Sequence, residues 1–359
     1  MVLQLLEHVL VSCPACWSVW TACCEEWGAE EGCPEESDRW SAVLKQVMAL
    51  AERQSAELDQ SPEIERQYQT LMGLETRRAR IDRVRRGTSQ ISALVSQRLI
   101  RASLATAELE PMRSAELAEL ALEVAWKLER LGHGSVEVWD LLARGWAALG
   151  NARRSGGDLA LARQTFRMAE VHWSEGSRHP RVAGEMQASL AALLMEEGEL
   201  ALAVEVARRA VDHDERIGES TGQARGLGRL AMMAAMQGDW EQALGLAEQA
   251  AGLAARIQEP GLKLLCGHTR ARILLSLEQT SEAIVACKQL ASLYPAYPEP
   301  VPLQGKWLQA DVLKALGRHE EARKHYEKVQ AGFGSLGASF EAIQGEWAHA
   351  HLWGGFPQK

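Results

Sequence analysis

Gly157-Asp158-Leu159-Ala160-Leu161-Ala162 is written into this chain five times, with variations. It returns as Gly198-Glu199-Leu200-Ala201-Leu202-Ala203 and as Gly238-Asp239-Trp240-Glu241-Gln242-Ala243. An altered copy reads Glu278-Gln279-Thr280-Ser281-Glu282-Ala283, and the last reads Gly317-Arg318-His319-Glu320-Glu321-Ala322. The closing alanines, at 162, 203, 243, 283 and 322, lie 41, 40, 40 and 39 residues apart. A near-constant period of this size marks a stacked array of helical hairpins. Each position in the hexad has a physical task. The glycine takes the left-handed conformation that ends a helix, and the polar residue after it starts the next one. The small alanine lets the two helices of a hairpin approach closely. A single hairpin cannot bury its apolar face alone, so neighbours must stack.

Outward from the hexad, apolar residues at helical spacing define six hairpins. They are 91–109 with 114–131, 136–156 with 159–175, 182–198 with 200–217, 223–238 with 240–257, 262–277 with 281–293, and 303–316 with 320–336. Trp139, Leu142, Ala143, Trp146 and Leu149 have the spacing of a core stripe. A final helix over 340–353 leaves Trp347, Leu352 and Trp353 apolar, so that either a second copy or a partner packs there or the array has lost a following helix. The weak point is expected at 278–302. There Glu278 replaces the turn glycine, and Pro295, Pro298 and Pro300 interrupt the backbone.

The turn pairs and the five alanines resemble the tetratricopeptide repeat family across residues 89–353. The period near 40 exceeds the usual repeat of about 34 residues and matches the longer-helix members found in bacterial regulatory proteins. The resemblance implies an all-α, right-handed α-α superhelical solenoid of six hairpins, with a small helical module before it. It also implies a non-catalytic interaction scaffold whose first helices line a concave groove for a peptide or partner helix. Polar positions on those helices are the candidate groove residues: Arg144, Asn151, Arg154, Gln187, Arg225, Arg229, Arg270, Arg272, Lys306 and Gln309. Their arginine content points to an acidic peptide or a carboxylate terminus as the ligand. No Gly-x-Ser-x-Gly, phosphate loop or His-Glu-x-x-His is present, so neither an enzyme nor an organic cofactor is expected.

The composition agrees with an all-α chain. Ala and Leu dominate, and the 359 residues include only four Phe and four Tyr beside twelve Trp. The net charge of −9 argues against general nucleic-acid binding. No apolar run approaches the roughly 20 residues of a membrane span. Met1–Leu10 lacks the basic start of a signal peptide, which predicts a cytoplasmic protein.

Three regions follow: a Cys-rich segment at 1–36, a helical connector at 37–88, and the array at 89–359. Five of the seven Cys lie in the first, at 13, 16, 23, 24 and 33. Cys13 and Cys16 form a Cys-x-x-Cys that can share one tetrahedral zinc, with His8 as a third ligand. The alternative is that these cysteines are small apolar core residues. The His8/Cys13/Cys16 arrangement resembles the zinc-binding anti-sigma module, with one extra residue between His and Cys. That resemblance implies a second function, a zinc- or redox-responsive transcriptional regulator.

In the connector, helices are expected from Trp40 to Ala51 and, as one piece, from Pro62 to Arg86. The second carries Arg77, Arg78, Arg80, Arg83, Arg85 and Arg86 wrapped around its surface without interleaved aromatics. A solvated face, partly neutralised by the acidic first sixty residues, explains it better than a nucleic-acid site.

Overall fold

The computed structural model describes residues 62–87, 91–107, 110–132, 136–257, 259–297 and 301–335. Fourteen α-helices and no strand occur among them. The Cys-rich segment, the helix expected at 40–51 and the final helix expected at 340–353 lie outside the described residues.

The chain forms two compact units, Met1–Glu219 and Ser220–Lys359. In the first, α1 (Pro62–Met72) and α2 (Arg77–Arg86) precede three hairpins. These are α3 (Ala93–Thr106) with α4 (Pro111–Arg130), α5 (Val136–Ser155) with α6 (Leu159–Glu175), and α7 (Pro180–Glu196) with α8 (Leu200–Ile217). The second unit holds α9 (Ser220–Met236) with α10 (Trp240–Arg256), α11 (Pro260–Ser276) with α12 (Thr280–Leu290), and α13 (Val301–Ala315) with α14 (His319–Ser335). The six hairpins match the periodic reading closely.

All five hexads make the same turn. Asp158 N–H donates to the Arg153 carbonyl at 3.0 Å and Gly157 N–H to the Arg154 carbonyl at 2.8 Å. These two bonds satisfy carbonyls that the helix end leaves open. The pair recurs at Glu199/Gly198, Asp239/Gly238, Gln279/Glu278 and Arg318/Gly317. Asp158 and Asp239 also cap the following helix, their carboxylates accepting from Leu161 N–H and Gln242 N–H. Glu199 and Gln279 make no such side-chain bond, since their chains are one methylene longer. The five alanines are fully buried or nearly so.

Two expectations are corrected. The helix expected over 62–86 breaks at Gly73–Thr76, where Thr76 takes extended dihedrals and its Oγ1 accepts from Ala79 N–H at 3.1 Å. Threonine competes for backbone bonds through its hydroxyl, and here that preference starts a new helix. Within the weak point expected at 278–302, the described residues 278–297 hold a packed plug, while Pro298 and Pro300 lie outside the described residues. A short 3₁₀ turn, Tyr294–Ala296, buries Tyr294 against α11 and Gly305 of α13. A β-carbon on Gly305 would lie 2.6 Å from the Tyr294 ring, so glycine is required for that approach. The boundary between the two units falls instead after Glu219.

Candidate partner-binding surface

The first helices of the hairpins, α5, α7, α9, α11 and α13, carry the candidate groove residues, and the structure sorts these by what holds them. In the first unit the arginines are committed to neighbouring helices. Arg144 of α5 donates from Nε to Glu185 Oε2 at 2.7 Å and from Nη2 to Oε1 at 3.2 Å. Arg181 adds a third bond to the same carboxylate at 3.3 Å. Burial pushes the Glu185 carboxyl upward, but the Arg144 and Arg181 guanidiniums outweigh it and hold the pKa below the ordinary value.

Beside them, Asp140 accepts from Ser177 N–H at 3.0 Å and Ser177 Oγ at 2.6 Å. Burial raises its carboxyl, against the pull of these two bonds. His179 Nδ1 accepts from Arg181 N–H at 3.2 Å and caps α7; burial, with help from Arg181, lowers its pKa to about 4.

Arg154 is only 8% exposed. It donates to Asn151 Oδ1 at 3.0 Å and to Ser155 Oγ at 2.9 Å, and pairs with Glu196 of α7. The offsets Arg144–Glu185 and Arg154–Glu196 are 41 and 42 residues, one repeat period. These pairs therefore join a first helix to the next first helix. Gln187 is half-buried, with its Oε1 unpartnered.

The second unit is more open. Arg225 of α9 is exposed and meets Glu259 at 3.0 Å in a pair whose side chains are 54% and 42% accessible. Such a pair contributes at most about 1 kcal/mol and can be exchanged for a ligand carboxylate. Arg229 is half-buried, and Arg270 lies 4.0 Å from Glu248. Lys306 and Gln309, one turn apart on α13, are exposed. The sequence reading missed two apolar neighbours on these helices, Met232 at 37% and Leu265 at 51% exposure. Helices α9, α11 and α13 pack side by side, α11 in the middle.

Arg272 is not part of that surface: it is 7% exposed, and burial lowers its pKa to about 10. It belongs to a buried polar group in which Tyr326 donates to Asp311 at 2.6 Å and His268 Nδ1 meets the Tyr294 hydroxyl at 2.6 Å.

The arginine-rich stretch, now α2, lies against α4. Arg77 pairs with Glu119, Arg80 with Glu116 at 3.5 Å, and Arg85 with Glu123. The neutralising carboxylates thus come from α4 as well as from Asp82 within α2. Among the described residues no group of three His, Cys, Asp or Glu side chains is placed to hold a metal. His8, Cys13 and Cys16 lie outside those residues. Cys266 and Cys287 are free thiols whose pKa burial raises to about 11, which suits packing rather than reactivity. No helix among the described residues is long and apolar enough to cross a membrane.

The profile of the tetratricopeptide repeat family matches residues 304–331, which span the turn between α13 and α14. No curated protein sequence matches the chain. Among solved structures, a Rap protein complexed with Competence and Sporulation Factor is similar at 12% identity, with a TM-score of 0.51 over 88% of this chain and 96% of that one. Aspartyl phosphate phosphatase F from Bacillus subtilis is similar at 18% identity, with a TM-score of 0.48 over 88% and 77%. A putative kinesin light chain with TPR-like repeats from Podosopora anserina is similar at 20%, with a TM-score of 0.46 over 55% and 97%. Identities this low carry a likeness of fold alone. The chain is an all-helical protein of tetratricopeptide-like hairpins, a fold that generally mediates protein–protein interaction.

Proposed function

We propose that this chain is a non-catalytic scaffold of bacterial, cytoplasmic regulation or signalling that binds a protein segment across the first helices of its second unit. One observation carries the reading. Helices α9, α11 and α13, packed side by side, carry exposed cations, Arg225 and Lys306, and exposed apolar side chains, Met232 and Leu265. In the first unit the corresponding arginines are held by their own glutamates. A peptide with a carboxylate and one or two apolar side chains suits such a surface, because apolar contact supplies affinity and the exposed cations supply orientation.

The test compares partners captured by the full chain and by the Arg225→Ala/Leu265→Asp/Lys306→Ala variant, with affinities then measured on the purified partner. Loss of at least about tenfold in affinity is expected, the scale at which an interface anchor registers. Retention of every partner at unchanged affinity excludes this surface.

The second reading, a zinc- or redox-responsive regulator of the anti-sigma type, rests on the spacing of His8, Cys13 and Cys16. A structural zinc site binds tightly enough to survive purification. Stoichiometric zinc, lost on His8→Ala/Cys13→Ser/Cys16→Ser, supports it. Metal-free protein whose stability ignores a chelator removes it.

A further inference from the structure

His172 sits near the end of α6, 5% exposed, and both of its ring nitrogens are buried without a hydrogen-bond partner. Buried polar atoms are nearly always satisfied, so two on one ring need a reason. Three tryptophans surround the imidazole. Trp126 of α4 stands edge-on, with ring centroids 5.5 Å apart and planes at 79°. Trp139 and Trp146 of α5 lie at 5.4 Å and 6.3 Å, tilted by 47° and 37°. The indole Nε1 of Trp146 is itself buried and unpartnered. Three helices therefore meet on one titratable ring.

The box accepts the neutral ring and not the charged one. A second proton turns the remaining acceptor nitrogen into a donor, and no acceptor faces it. A charged donor left without a partner costs more than a neutral one. Attraction of the imidazolium to the indole faces offsets part of that cost but supplies no hydrogen bond.

No carboxylate nearby is poised to compensate. On α4, Glu123 is taken by Arg85, while Lys127 donates to the Gly87 carbonyl. On α5, Asp140 is held by Ser177 and Arg144 by Glu185 of α7, which also holds Arg181. The remaining charged residues within about one helical turn of these four rings along the chain are Glu129, Arg130, Glu137, Glu170 and Glu175. All are exposed or partly so. Burial alone lowers the His172 pKa, with no charged group contributing.

We propose that His172 and its tryptophan box form a proton-sensitive joint, in which protonation of the imidazole on mild acidification loosens the seat of α6 against α4 and α5. The sign follows from the neutral ring being the form that fits. The stabilisation is complete above the unfolded histidine value of 6.5 and is lost as pH falls below it. This inference does not depend on which partner the protein binds.

The test is amide hydrogen exchange of the full chain at about pH 7.5 and about pH 5, corrected for the intrinsic pH dependence of exchange, with tryptophan fluorescence followed over the same range. Opening of segments 118–130, 137–150 and 162–175 rises at the lower pH, by up to about thirtyfold, the limit that an unfolded histidine value of 6.5 sets at about pH 5. Fluorescence falls in parallel, since imidazolium quenches neighbouring indoles. His172→Phe fills the box with a neutral ring and abolishes the fluorescence response and the exchange response in excess of that left by His179; His172→Gln, also neutral, serves where the phenyl ring does not fit. His179→Asn and His213→Gln, at the other described histidines of the first unit, leave the responses in place. The proposal is overturned if the three segments of the wild-type chain exchange equally at both pH values. It is equally overturned if the phenylalanine and glutamine variants respond as the wild type does, or if either control abolishes the response.

Discussion

Glu278 holds a φ of +58° in the turn where the four sister copies place glycine at +74° to +82°. Side chains with a β-carbon pay about 1–2 kcal/mol in this region, and glycine pays almost nothing. Glu278→Gly is therefore expected to stabilise the second unit by about 1 kcal/mol, read as a higher urea midpoint at unchanged slope. Gly198→Ala should shift the midpoint the other way by a similar amount. A β-carbon there meets nothing within 4 Å, so the cost is conformational and not steric. Arg144→Ala tests a different contact at the same scale. It leaves Glu185 with Arg181 alone, and a loss of about 1–3 kcal/mol is expected, below the full cost of a buried pair because Glu185 is 30% accessible. Both sites were partly legible. The glutamate was visible as a break in the hexad, and Arg144 as a polar residue on a first helix. That Arg144 faces a carboxylate one period later was not visible, because the sequence does not say which side of a helix meets its neighbour.

At the scale of the element, the hairpin depends on the alanine that closes each hexad. Ala243 is fully buried where α10 meets α9 and α11. Ala243→Leu would force extra methylenes into that seam and is expected to cost about 1–3 kcal/mol or more in urea unfolding. Helix α2 is held differently. Val84 is its one fully buried apolar side chain, while its three ion pairs to α4 are partly accessible. Salt screens such pairs over about 8–10 Å, so raised ionic strength should speed amide exchange across 77–86 and leave 118–130 nearly unchanged. Equal protection at low and high salt would show that Val84 and the backbone cap hold α2 alone. The composition of this stretch had already argued for a neutralised face. The partner of the charge, α4, was decided by tertiary packing.

For the whole molecule, pH is the variable that reaches both units. His179 in the first has a pKa lowered to about 4 and His268 in the second to about 3, each by burial first and a nearby arginine second. Both are neutral in the fold and titrate near 6.5 when unfolded, so their stabilisation is present above 6.5 and declines as pH falls below it. Burial raises the carboxyls of Asp140 and Asp311, which work in the opposite sense. A lower urea midpoint at about pH 5 than at about pH 7.5 is expected, and an unchanged one would mean that the carboxyls cancel the histidines.

The periodic hexad placed the turns of five of the six hairpins, and the apolar spacing around it supplied the first hairpin and the helical class, because capping and helix-pair contact are local chemistry repeated at a fixed spacing. His172 was also in phase with Ala162, Phe166 and Ala169 on the buried face of α6, a signal that goes unread when histidines are searched only for metal spacing. What required the tertiary structure was every pairing between helices. The Arg144–Glu185 and Arg154–Glu196 bonds, the tryptophan box, the Tyr294 plug and the unit boundary after Glu219 all depend on which faces of separate helices meet. Local propensity does not encode that choice. Packing of the whole array does.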